Sequence, residues 1–177
     1  MIKFINETSE FLKNKGFLNP EIGIILGTGL GKLTNHIEII KEISYNHIPN
    51  FPSATVEFHK GKLIFGMLGG KKVIVMQGRF HLYEGYSLQD ITFPVRVMGV
   101  LGISSLLVSN ASGAINSNFR KGELMLIDDH INLQGNSPIA FKGVEAFGER
   151  FVDMSAPYNK TLNAIIEKNA KLKQKYY

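Results

Sequence analysis

Ile22-Gly23-Ile24-Ile25-Leu26 runs without a polar side chain into Gly27-Thr28-Gly29-Leu30-Gly31. An apolar run this short, with no alternation, reads as a strand buried on both faces. A buried strand that delivers the chain into glycines presents backbone amides at the end of a sheet, which marks a candidate ligand loop. The loop is neither of the common nucleotide cradles. A P-loop needs four residues between its glycines and then Lys-Ser/Thr, whereas Lys32 comes after a shorter gap and Leu33 has no hydroxyl for magnesium. The dinucleotide fingerprint needs Gly where Lys32 stands. What remains is a set of amides and one hydroxyl, Thr28, suited to a phosphate oxygen. The plain alternative is a tight turn without a ligand.

Outward from this stretch, strands and helices alternate. Residues 4–15 place Phe4, Ile5, Phe11 and Leu12 near one helical face and stop at Gly16. Residues 36–44 and 54–59 read as strands on either side of Pro49 and Pro52. Residues 62–67 and 72–76 flank Gly69-Gly70, a hairpin signal. Thr92 is a candidate cap for a helix to about residue 102, with Pro94 in its first turn. Residues 105–109 and 124–127 read as further strands, and residues 158–173 as a helix after Pro157. The pattern predicts an α/β fold, a mixed β-sheet flanked by helices, in a single domain over residues 1–177.

The second chemically loaded stretch follows the apolar run Val73-Ile74-Val75-Met76. It is Gln77-Gly78-Arg79-Phe80-His81-Leu82-Tyr83-Glu84-Gly85-Tyr86, in which Arg79, His81 and Tyr83 recur at every second position. If strand geometry persists, the three side chains share one face. A charged fork, an imidazole and a phenol together suit an anion and a sugar; the plain alternative is a polar strand end whose Arg and His face water. The turn Asn110-Ala111-Ser112-Gly113 repeats the logic of the first loop, since small side chains let backbone groups approach a ligand, although taken alone it reads first as an ordinary tight turn. His59 reads as a solvated histidine at a loop or strand end. Asp128-Asp129-His130 lacks a second histidine at metal-ligand spacing, so no metal site is predicted and Asp129 and His130 read as structural hydrogen-bonding groups. No Gly-x-Ser-x-Gly elbow supports a hydrolase triad.

Composition narrows the classes. The chain has no cysteine, which removes thiol chemistry and suits a reducing, cytoplasmic location. No apolar run is long enough to span a bilayer, so no membrane partner is predicted. The net charge of +5 is concentrated: residues 160–177 carry +4 and the rest only +1. A nearly neutral body argues against a nucleic-acid partner.

Seven blocks taken together carry a resemblance: Gly27-Thr28-Gly29-Leu30-Gly31, Phe58-His59-Lys60-Gly61, residues 77–86, Thr92-Phe93-Pro94-Val95-Arg96, residues 110–116, Asp129-His130-Ile131-Asn132-Leu133 and Phe147-Gly148-Glu149-Arg150-Phe151. In this order they resemble the trimeric, low-molecular-mass purine nucleoside phosphorylases, and the Gly-Arg-Phe-His-x-Tyr-Glu-Gly block favours that branch over the methylthioadenosine phosphorylases. The resemblance implies reversible phosphorolysis of purine (deoxy)ribonucleosides to free base and (deoxy)ribose 1-phosphate. It implies no metal or organic cofactor, orthophosphate as co-substrate, and a homotrimer. By resemblance, Thr28, Arg79, His81 and the backbone of Ala111 hold phosphate, with Arg79 and His81 the catalytic pair. Tyr83 contacts the sugar, His59 lies beside phosphate and ribose, and Phe147 reaches a neighbouring subunit's sugar site. Family members continue past the equivalent of Tyr177 into a base-binding part, so the resemblance covers an N-terminal portion and implies a truncated nucleoside phosphorylase-like fold. The alternative is a non-catalytic module that keeps affinity for phosphate or nucleoside.

Overall fold

The computed structural model describes residues 1–52 and 61–173. The strand expected over residues 54–59, and His59 with it, lie outside the described residues. The chain forms two compact units, Met1–Ser112 and Gly113–Tyr177.

The first unit is built on a five-stranded mixed sheet in the order β2-β3-β4-β1-β5. The strands are β1 (Ile22–Leu26), β2 (Glu38–Ser44), β3 (Lys62–Leu68), β4 (Lys71–Gln77) and β5 (Ser105–Val108). β3 and β4 form the expected hairpin, and Gly69 and Gly70 both take positive φ, 57° and 76°. That pair of left-handed residues makes the turn whose twist matches the strands. β1 lies parallel to β4 on one side and to β5 on the other. This explains its composition: a strand paired on both edges and covered on both faces has no place for a polar side chain.

Helices α1 (Ile2–Asn14) and α2 (Leu88–Leu101) pack against each other. Phe17, just after α1, meets Phe65 of β3 with ring centroids 5.7 Å apart. A Cβ on Gly23 of β1 would lie 2.8 Å from Ile103 and 3.4 Å from Met98 of α2, so glycine lets this helix sit close to the sheet. On the opposite face, Leu33 in the 3₁₀ turn Gly31–His36 joins Ile37 in packing on Ile24, Leu26, Val73 and Val75. A cleft of about 620 Å³ opens there, lined by Ile22, Ile24, Leu30, Leu68 and Leu107 among others. β5 is an edge strand, and Leu106, Leu107 and Val108 are exposed.

Three expectations are corrected. The buried face of α1 is Ile5, Thr8, Ser9 and Leu12, while Phe4 is half exposed at 50%; a stripe spaced by three and four residues follows the helical period, and Phe4 falls beside it. The cap of α2 is Ser87, five residues before Thr92. Its hydroxyl accepts from the Asp90 amide and the Asp90 carboxylate accepts from the Ser87 amide, a capping box. Pro94 is therefore inside the helix, and Thr92 turns its hydroxyl back to the Leu88 carbonyl at 2.8 Å. The third correction falls in the second unit: residues 124–127 form no strand, and Leu124 is 93% exposed. A β-rich run needs a ladder partner, and none pairs with it among the described residues.

The second unit is otherwise turns, the 3₁₀ segment Val144–Phe147 and helix α3 (Lys160–Lys173), capped by the Asn159 side chain accepting from the Leu162 amide at 3.0 Å. No helix among the described residues is long and apolar enough to cross a membrane.

Candidate functional site

Parallel pairing decides where the loops go. Leu26 is level with Gln77, and Ile25 with Val108, so β4, β1 and β5 all end at one edge of the sheet. The carboxyl edge of parallel strands is where α/β sheets bind ligands. The loops leaving that edge carry Thr28, Arg79 with His81, and Ala111. The three sequence motifs thus converge because of strand direction, not because they are near in sequence.

Gly78, with φ of 100°, ends β4 and turns the chain. Strand geometry does not persist to Tyr83, contrary to the alternating pattern: Leu82–Glu84 is a 3₁₀ turn. Arg79 and His81 still meet, the Arg79 Nε donating to His81 Nε2 at 3.2 Å. The Arg79 Nη1 donates to the Ser109 carbonyl at 2.8 Å. Its Nη2 has no partner among the described residues, which leaves a guanidinium edge for an anion. His81 is fixed from its other side by Glu84, whose Oε2 accepts from the His81 amide at 2.8 Å and lies 3.1 Å from Nδ1. A carboxylate accepts only, so Nδ1 carries the hydrogen and Nε2 receives the one from Arg79. Tyr83 stacks on the His81 ring at 4.7 Å and is 83% exposed, an open aromatic surface beside the pair.

Gly27 ties this group to the first loop. Its amide donates to Ser109 Oγ at 3.0 Å, so Thr28, the next residue, starts from a point fixed to the same serine that receives Arg79. The apolar cleft of the sheet face touches this edge at Gly29 and Ser109, and its lining includes neither Arg79 nor His81. Among the described residues no group of acidic and histidine side chains is placed to hold a metal. Asp129 accepts from the His130 amide at 2.8 Å and the His130 ring reaches the Tyr158 hydroxyl. Phe147 belongs to the second unit, where it lies 6.2 Å from Phe141 between ring centroids.

Glu84, Ser109 and Tyr45 are site-supporting residues that sequence reading did not single out. Glu84 had a signal, the i+3 spacing of a capping box with His81. Tyr45 had none: it is buried and donates to the Gly78 carbonyl at 2.7 Å, across 33 residues of sequence. Its ring also packs on Phe80 at 5.4 Å, clamping the backbone on either side of Arg79. Burial pushes the Tyr45 hydroxyl well above its ordinary value. The folded state therefore favours the protonated phenol, a contribution fully present below about pH 10, where an unfolded tyrosine titrates, and lost progressively above it. Tyr45→Phe is expected to cost about 1–2 kcal/mol at neutral pH for the lost bond. Urea unfolding of both proteins should show that difference shrinking above about pH 10, because only the tyrosine form pays for keeping its proton.

The sequence pattern of the phosphorylase superfamily matches residues 21–176. Purine nucleoside phosphorylase 1 of Geobacillus stearothermophilus is 51% identical over 161 residues, covering 91% of this chain and 59% of that protein. Purine nucleoside phosphorylase 1 of Bacillus subtilis (strain 168) is 50% identical over 167 residues, covering 94% and 62%. The crystal structure of isoform 2 of purine nucleoside phosphorylase from Schistosoma mansoni, in complex with cytosine and ribose-1-phosphate, has a TM-score of 0.91 at 42% identity, covering 97% of this chain and 61% of that one. The chain spans about three fifths of the length of these relatives. With a mixed sheet of the same shape and a match over most of its length, the chain belongs to the phosphorylase superfamily.

Proposed function

We propose that the chain carries the phosphate-binding and part of the ribose-binding machinery of a purine nucleoside phosphorylase. The observation that supports this best is the held guanidinium of Arg79, fixed by Ser109 and His81 with its remaining nitrogen at the carboxyl edge of the sheet. In this reading Arg79 and His81 bind orthophosphate together with the Thr28 hydroxyl and the Ala111 amide. Tyr83, His59 and Phe147 contact the sugar, with Phe147 serving a neighbouring subunit of a homotrimer. Orthophosphate is the co-substrate, no metal or organic cofactor takes part, and the setting is the cytoplasm.

The chemistry follows from charge. A phosphate oxygen attacks C1′ of the nucleoside, the glycosidic bond breaks, its electron pair leaves with the purine, and the sugar is released as its 1-phosphate. Holding the dianion at C1′ supplies proximity and stabilises the positive charge that develops on the sugar. Groups that protonate the purine belong, in this reading, to the further length of the relatives. That length favours a second reading for the 177-residue chain by itself: a phosphate- or nucleoside-binding module without turnover.

Calorimetric titration with orthophosphate, and inosine phosphorolysis read as ribose 1-phosphate, test both. Phosphate binding by the chain is expected, with turnover once it is extended to the length of its relatives. A folded chain that binds no phosphate, together with an inactive extended protein, would overturn the proposal; turnover by the 177-residue chain itself would overturn the second reading.

A further inference from the structure

We propose that Ser109 is a positioning residue that fixes the Gly27-Thr28-Gly29 loop relative to Arg79, so that both meet one anion. The identity of that anion as orthophosphate rests on the phosphorolysis reading; the coupling rests on geometry. Ladder pairing between β1 and β5 ends at Ile25 and Val108. Beyond it, the Ser109 side chain takes over: its hydroxyl donates to the Ile25 carbonyl at 3.2 Å and accepts from the Gly27 amide at 3.0 Å. Its own amide donates to Ile25 at 3.0 Å, and its carbonyl accepts from Arg79 Nη1 at 2.8 Å. One residue therefore touches the end of β1, the first loop and the guanidinium.

There is no slack in the arrangement. A Cβ on Gly27 would lie 2.5 Å from the Ser109 carbonyl oxygen and 2.7 Å from the Asn110 Cα, so the two backbones are in direct contact. Gly27 is buried. Without the serine hydroxyl its amide has no acceptor in this arrangement, and a buried orphan donor shifts toward water or another acceptor. Thr28 is covalently next to it and moves with it. A serine hydroxyl supplies one donor and two acceptor positions, which is the set this junction uses. Threonine keeps that set; alanine removes it.

The test uses the full chain, with hydrogen exchange of individual amides and calorimetric titration with orthophosphate. In Ser109→Ala, exchange at Gly27 should rise about tenfold or more while Val75 in the sheet centre is unchanged, and phosphate affinity should fall about tenfold. Ser109→Thr should restore both. Unchanged Gly27 exchange in S109A overturns the proposal, as does faster exchange with undiminished phosphate affinity, or failure of S109T to restore protection. If S109A does not fold, Ser109→Cys, whose thiol is a weaker partner, is read by the same criteria. A wild-type chain that binds no orthophosphate, together with an inactive extended protein, sinks the phosphorolysis reading instead, and Gly27 exchange in the variants still decides the coupling.

Discussion

Arg79→Ala is expected to weaken orthophosphate binding by about a hundredfold to ten-thousandfold, since each hydrogen bond from a charged donor contributes roughly 1.5–3 kcal/mol and the guanidinium can offer two. The loss should exceed that of any other single side chain in the site, because Arg79 alone couples the anion to both His81 and the end of β5. Arg79→Lys should recover only a small part. An ammonium restores the charge but not the planar fork, so it cannot hold Ser109, His81 and a phosphate oxygen at once. Calorimetric titration of the three proteins at fixed ionic strength measures this. Full recovery by lysine would show that charge, not fork geometry, binds the anion, and equal affinity in the alanine variant would remove Arg79 from the site.

Gly27→Ala is expected to cost about 2–3 kcal/mol of stability as an overpacked contact and to abolish measurable phosphate binding. The reason is steric alone. The added carbon would overlap the Ser109 carbonyl oxygen at 2.5 Å, and a backbone atom cannot swing aside as a side chain does. The strand ends must then part, carrying Thr28 away from Arg79. Gly29→Ala is the comparison: φ there is 84° and a Cβ would meet nothing within 4 Å. Its cost is backbone strain of about 1–2 kcal/mol, without a steric wedge. Thermal and urea unfolding of both variants separate the two causes, and a Gly27→Ala protein as stable as the Gly29→Ala protein would show that the junction can open freely.

The parts of this fold that were legible in the sequence are those written in local chemistry. Ile22 to Leu26 read as a buried strand and Gly69-Gly70 as a hairpin signal, and the fold has both. Arg79 and His81 were legible as a pair for a reason that proved incomplete: alternation along a strand predicted a shared face, whereas a turn at Gly78 and a 3₁₀ segment bring them together. The α2 cap was misplaced because Pro94 suggests a first turn, although Ser87 and Asp90 carry the capping-box spacing. Residues 124–127 show the limit of composition: β-branched and apolar residues favour a strand, but only a partner makes one. Tyr45 and Ser109 were not legible at all. Their importance lies in contacts across 33 and 82 residues of chain, to Gly78 and Gly27, and no local pattern encodes those.

Those separations also set an order of assembly. The β3–β4 hairpin closes over two glycines and is entropically cheap, whereas β1 must find β4 and then β5 through parallel pairings that join distant stretches of chain. The junction at Gly27 and Ser109 needs β1 and β5 side by side, so the candidate anion site is complete only in the folded sheet. A ligand that binds only the completed form raises stability in proportion to the logarithm of its concentration over its dissociation constant. Orthophosphate should therefore act on this chain as a folding ligand, holding shut a sheet whose edge strand β5 leaves Leu106, Leu107 and Val108 exposed.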